Sequence, residues 1–383
     1  MPTKYDVFAK IIEKAPCSPK DLFFKVPIYN HLRELEKKEL IKKEKNILTP
    51  IKNEKSKLIF EIINWSLKNG FNYNFWFKKN IIKVVKKLSS SSTKIQHKSI
   101  TGNQKILEIV NFLSENQFLL LYKKSPKLGT LLNHSIFEVI KTLNNEKFEI
   151  QEKYLSFGNI SKLILKTKRQ IINPFENKIF EFLAGSAQLE GSTITIGETV
   201  SLLRNNIYPA RPVEDIQMVK NLNLAFEYAL ENLNGNLTVE KIKEMNKICL
   251  FSLHRGGGIL KKSQNKIQGN PSFKTASPKE TPLKLIKFCE EFNKISSRKE
   301  ALSKLGFIHN EFQYIHPFTD GNSRTTRIIT NWLIMKFNLP LLILKKGAFE
   351  KYMNLTKLAK KRNDNSLRDF LLHIIYHEYL MKN

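Results

Sequence analysis

The chain has 383 residues, enough for two or three domains with a sizeable core, and a formal net charge of +29. The three cysteines, Cys17, Cys249 and Cys289, are too scattered for a disulfide framework or a zinc site, no apolar leader opens the chain, and no stretch approaches the roughly 18 apolar residues of a membrane span. The expectation is a cytoplasmic protein with no membrane contact, whose lysine excess permits nucleic-acid binding without establishing it.

Residues 1–55 carry a pattern of their own. Val7, Phe8, Ile11 and Ile12 share a helical face, Ser18-Pro19-Lys20-Asp21 opens a short second helix, and Ile28, Leu32 and Leu35 mark a third. Leu40-Ile41, a charged turn and Ile47-Leu48-Thr49 then read as a small hairpin. Helix, helix, helix, hairpin is the order of a winged helix-turn-helix, which this segment resembles, with residues 31–37 as its recognition helix. In that reading Tyr29, Asn30, Arg33 and Lys37 face a major groove and the wing lysines Lys42, Lys43 and Lys45 meet phosphate. A packing module that binds protein is the alternative, because Glu34, Glu36 and Glu39 dilute the basic face.

Residues 56–170 read as a helical linker domain whose purpose the sequence does not disclose. Ile59, Ile62 and Ile63 recur at helical spacing, Trp65, Phe71, Phe75, Trp76 and Phe77 read as core, and Ser89–Ser92 with Thr93 predicts a loop. From residue 171 a third domain begins. A helix follows Pro174 through Phe175, Ile179, Phe180 and Leu183 to Ser186-Ala187-Gln188-Leu189-Glu190-Gly191, where Gly191 can stop it. Amphipathic helices span Val213 to Leu230 and Val239 to Leu253. Gly256-Gly257-Gly258 and Lys266-Ile267-Gln268-Gly269 then break helical periodicity.

The densest chemistry is His316-Pro317-Phe318-Thr319-Asp320-Gly321-Asn322-Ser323-Arg324-Thr325-Thr326-Arg327, which reads as helix, tight loop, helix. Gly321 allows positive φ, Asn322 tolerates it, and the amides of the next turn converge on an anion site. Arg324 and Arg327 share a helix face and can reach one polyphosphate. Asp320 is a hard oxygen ligand suited to magnesium, and His316, with an ordinary pKa of ~6.5, is the natural acceptor for a hydroxyl proton. Farther on, His373 and His377 stand one turn apart but lack a third ligand, so they read as ordinary histidines.

Residues 316–327 resemble the Fic family signature, His-Pro-Phe-x-Asp/Glu-Gly-Asn-Gly-Arg-x-x-Arg, at every specified position but one. Ser323 stands where glycine is usual, and its Cβ would oppose a positive φ. The resemblance implies a mainly α fold, a Fic-type helical core with a small β-hairpin flap, preceded by the winged-helix-like α+β domain and the helical linker. It implies transfer of AMP from ATP, with Mg2+, to a Ser, Thr or Tyr hydroxyl of a target protein, the chain itself included. His316 would be the base, Asp320 the metal ligand, and Gly321, Asn322, Ser323, Arg324 and Arg327 the nucleotide site. Ser186 and Glu190 resemble the family's inhibitory motif, in which Glu190 would pair with Arg327 and misalign the γ-phosphate. Residues 254–269 lie where the flap is expected, with Lys266, Ile267 and Gln268 aligning a target segment by strand addition, and a homodimer is a further family expectation. Two alternatives stay open: a phosphodiesterase that removes AMP from a protein at the same site, and a DNA-binding regulator whose core senses a nucleotide.

Overall fold

In the computed structural model, which describes residues 2–90, 104–124, 128–168 and 176–382, the helical periodicities become helices gathered into two units. The fold is mainly α, with two small antiparallel two-stranded sheets among the described residues. Where the sequence suggested boundaries at 55 and 170, contacts divide the chain differently: Met1–Ser90 with Asn133–Ile150, and Ser91–Leu132 with Gln151–Asn383.

In the first unit, Thr3 and Asp6 cap helix Lys4–Lys14, each side chain bonding the other's backbone N–H, at 3.2 and 2.6 Å. That helix buries Val7, Phe8 and Ile11 against Leu32 and Leu35 of helix Tyr29–Lys37. Between them lies the 3-10 turn Pro19–Leu22, and after them strands Ile41–Glu44 and Ile47–Pro50 pair around Lys45 and Asn46, both at positive φ. Helix Glu54–Lys68 packs on helix Ser135–Leu143. The predicted aromatic core is there: Trp65 stacks on Phe71 at 5.5 Å and meets Trp76 edge-on at 5.8 Å. Ser89 and Ser90 finish helix Ile81–Ser90, and the rest of the loop expected there, residues 91–93, lies outside the described residues.

The second unit contains a hairpin the sequence reading lacked, Leu119–Lys123 against Leu128–Leu131. Its first strand is buried on both faces, so Phe118 to Tyr122 is apolar without alternation and carries no strand period. It packs on the last helix, Asp364–Lys382, where His377 Nδ1 accepts the Leu121 N–H at 2.9 Å and His373 Nε2 accepts the Leu155 N–H at 2.9 Å. Both histidines are therefore buried backbone acceptors.

At the centre stands helix Asn322–Lys336, buried at every residue from Asn322 to Met335. Helices Asn177–Leu189, Val213–Glu231, Val239–Leu250 and Arg298–Ile315 surround it, and their apolar faces, with helix Thr281–Asn293, share one core built on Phe226, Phe288, Phe312 and Trp332. The predicted start of Asn177–Leu189 at Pro174 and Phe175 lies outside the described residues. Gly185 brings that helix close to residue 344, since a Cβ there would fall 2.2 Å from the Leu344 carbonyl oxygen. Residues 254–269 run as turns and extended chain, with one bridge, Leu260 to Phe318, where a hairpin was expected.

Candidate active site

His316 caps helix Arg298–Ile315 in the left-handed region, φ 46°, which turns the chain sharply into the loop. Its Nδ1 lies 3.3 Å from the Gln313 carbonyl oxygen, so a proton held there leaves the Nε2 lone pair to accept another. Burial pushes its pKa down to about 4, against the pull of that carbonyl and with help from the charges of Lys261 and Lys357. The ordinary value assumed from sequence is thus corrected: desolvation keeps the imidazole neutral well below pH 6.5.

Fully buried Phe318 anchors the loop. Asn322 locks it, accepting the Phe318 N–H at 3.0 Å and donating to the Phe318 carbonyl at 2.7 Å, so only the backbone amide of Asn322 is left for a nucleotide. Gly321 has φ 75°, and a Cβ on it would stand 2.7 Å from Asn246 Nδ2. Ser323, by contrast, is a helical residue absent from the positive-φ positions, so its side chain costs no backbone strain. The amides that follow Gly321 open the central helix and form an anion cradle.

Arg324 and Arg327 are buried in that helix. Arg324 Nη2 lies 3.2 Å from both carboxylate oxygens of half-exposed Asp320, whose Oδ1 also accepts the Gly321 N–H at 2.5 Å. Arg324 Nε is buried without a partner among the described residues, a donor left for an incoming anion. Arg327 is engaged from the other side: Nε donates to Ser186 Oγ at 2.7 Å, and Nη2 to the Ser186 carbonyl at 3.0 Å and Glu190 Oε1 at 2.7 Å. Burial would raise the Glu190 carboxyl, but Arg327, then Lys357 and Arg324, outweigh it and hold the pKa below its ordinary value. Gly191, at φ 97°, stops the helix and leaves Glu190 at its end.

No group of three or more His, Cys, Asp or Glu side chains suited to a metal occurs among the described residues. A single half-exposed carboxylate beside an anion cradle suits magnesium, which keeps waters and shares ligands with phosphates.

Of the predicted flap residues, Ile267 turns inward while Lys266 and Gln268 are exposed. The segment is fastened to the signature loop. Lys261 N–H donates to the Pro317 carbonyl at 2.8 Å, Lys261 Nζ to the Ile315 carbonyl at 2.9 Å, and Asn265 Nδ2 to the Phe318 carbonyl at 3.0 Å. Burial lowers the Lys261 pKa to about 8. Asn30, Arg33 and Lys37 are exposed on helix Tyr29–Lys37.

Two site residues escaped the sequence reading. Asn246, fully buried, donates to the Asp320 carbonyl at 3.1 Å and Thr325 Oγ1 at 3.2 Å, and accepts the Gly258 N–H at 2.9 Å. An asparagine on the apolar face of helix Val239–Leu250 was its one visible signal. Lys357, in the turn after helix Lys346–Leu355, acts on Glu190, Arg327, Asp320 and Arg324 and has no ion pair among the described residues. Nothing around it in sequence marks it.

Residues 236–334 match the model of the Fic/DOC family. The protein adenylyltransferase Fic of Drosophila persimilis is 25% identical over 242 residues, 62% of this chain and 46% of that protein. Its Drosophila melanogaster counterpart is 26% identical over 200 residues, 51% and 39% of the two chains. The chain thus spans less than half the length of these curated relatives. A solved Fic family protein from Desulfovibrio desulfuricans, 14% identical, covers 62% of this chain and 77% of its own at a TM-score of 0.50, a likeness of fold.

Proposed function

From a chain that carries a Fic-family domain, we propose a protein adenylyltransferase that moves AMP from ATP to a Ser, Thr or Tyr hydroxyl of a protein and is held off by Glu190. The observation that carries this reading is the pairing of a neutral, buried His316 with Arg324 and Arg327 at the start of the helix that follows it. His316 Nε2 takes the hydroxyl proton as the hydroxyl oxygen attacks the α-phosphorus of ATP. The new oxygen–phosphorus bond forms, the bond to the β-phosphate bridging oxygen breaks, and pyrophosphate leaves.

Positioning supplies most of the acceleration. The amides of Asn322 and Ser323, turned into place by Gly321, cradle phosphate oxygens, while Arg324 and a released Arg327 neutralise the β- and γ-groups. Asp320 would hold magnesium, which supplies charge neutralisation on the polyphosphate when bound. Glu190 opposes this by occupying Arg327, and its negative charge would repel a triphosphate that Arg327 is needed to hold.

ATP labelled at the α-phosphate tests the reading: label enters protein from that position and not from the γ-position. Label from the γ-phosphate alone would make the chain a kinase instead. The reverse reaction, removal of AMP from a modified protein by a water oriented by Glu190, is a second reading. It rests on Glu190 remaining ionised beside the cradle. A DNA-binding role for the first unit rests on the exposed face of Asn30, Arg33 and Lys37, and a gel shift lost in Arg33→Ala tests it.

A further inference from the structure

Residues 254–279, the segment fastened to the signature loop, contain Arg255, Lys261, Lys262, Lys266, Lys274 and Lys279 and no aspartate or glutamate. Five of these cations are exposed; only Lys261 is buried. None of the five has an ion pair among the described residues. A second loop extends the same charge: Asn270 Nδ2 donates to the Lys357 carbonyl at 2.9 Å and the Ala359 carbonyl at 3.1 Å, tying the flap to a turn that carries exposed Lys360 and Lys361. The next acid along the chain, Glu280, spends its carboxylate on Ser277, accepting its N–H at 2.9 Å and its hydroxyl at 2.7 Å.

We propose that this basic collar selects acceptor segments rich in aspartate and glutamate, so that the target hydroxyl reaches His316 within an acidic stretch of protein. The proposal rests on the adenylyltransferase reading and names the chemical class of its substrate. Unpaired cations around a reacting group raise the local concentration of an oppositely charged partner and suppress basic ones. Main-chain alignment along the flap is indifferent to sequence, and the lysines supply the discrimination. Asn265 adds a docking point, because its Oδ1 is buried without a partner among the described residues and can accept an N–H from the incoming segment. A polypeptide rather than a nucleic acid is favoured because no aromatic ring interleaves these cations except half-buried Phe273, and base stacking on such rings is what single-stranded nucleic acids exploit.

The test uses the full chain carrying Glu190→Gly, ATP and magnesium. Three sets of peptides bear one Ser, Thr or Tyr flanked by glutamates, glutamines or lysines. We expect kcat/KM to favour the glutamate set over the lysine set about tenfold at low salt, and the preference to shrink as ionic strength rises. Reversing the charge at Lys262→Glu, Lys274→Glu and Lys360→Glu together should invert the order, an effect that mere loss of folding cannot produce. Automodification, read in the same reactions, separates the failures. If the chain labels itself but treats the three sets alike, or modifies none of them, the acidic-target proposal is overturned while the enzyme reading stands. Equal peptide rates together with loss of oligonucleotide retention in the lysine variants would assign the collar to nucleic acid and overturn it as well. If neither chain nor peptide is labelled, the adenylyltransferase reading falls, and this proposal with it.

Discussion

Arg327 gives Glu190 a 2.7 Å hydrogen bond from the same Nη2 that serves the Ser186 carbonyl, while its Nε serves the Ser186 hydroxyl. One short segment thereby occupies one edge of a guanidinium in the central helix. The pair is partly buried, so its charges are weakly screened and removing either one is felt strongly. Glu190→Gly should raise ATP affinity at least about tenfold, a change of about 1.4 kcal/mol, in a calorimetric titration. Equal affinities in the two forms would mean that the pair does not compete with the nucleotide.

Asn246 offers a second test, since it joins three segments through both ends of one amide. Asn246→Ala leaves the Gly258 N–H and the Asp320 carbonyl without these partners and should cost about 1–3 kcal/mol of stability by thermal unfolding. Asn246→Asp keeps the acceptor for Gly258 but sets an oxygen against the Asp320 carbonyl. Buried there unpaired, the carboxylate should cost more stability than the alanine does, and both variants should bind ATP more weakly than the parent. Wild-type nucleotide affinity in both would remove Asn246 from the account of the loop.

Burial sets the pH behaviour. His316 and His377 are pushed down to about 4, and His309 to about 3, each chiefly by desolvation. The unfolded chain therefore takes up these protons first as pH falls. The stability they contribute is present above about pH 6.5 and is lost between there and about pH 4, or about pH 3 for His309, by about 1.4 kcal/mol per histidine per pH unit. Urea midpoints measured from pH 7.5 to 5 should fall accordingly. As the base, His316 should keep kcat/KM of the Glu190→Gly form flat from pH 8 to about 5.5, because it stays unprotonated throughout. An acid limb centred near pH 6.5 would show an imidazole in contact with water.

The twelve residues from His316 to Arg327 were legible because their chemistry is contiguous: the loop, its glycine and the arginine pair all lie within one turn of chain and the next. Glu190 was legible only through the family motif, since a glutamate at a helix end says nothing of the guanidinium it meets. Asn246 and Lys357 were not legible, because their roles arise where segments distant in sequence converge on the loop. The strand Leu119–Lys123 was hidden by burial on both faces, and the low basicity of His316 by the same cause, since desolvation is a property of packing. At Ser323 the Cβ meets no strain, because the positive-φ turn ends at Gly321 and Ser323 is already helical.

An adenylyltransferase restrained by Glu190 would reveal itself in the intact mass of the purified chain after incubation with ATP and magnesium. Wild type, Glu190→Gly and Glu190→Gly/His316→Ala would be compared. Glu190→Gly should gain one or more AMP units, wild type little and the double variant none. Equal AMP addition in all three forms would contradict both the base and the restraint, and no addition in Glu190→Gly would contradict self-modification by the released enzyme.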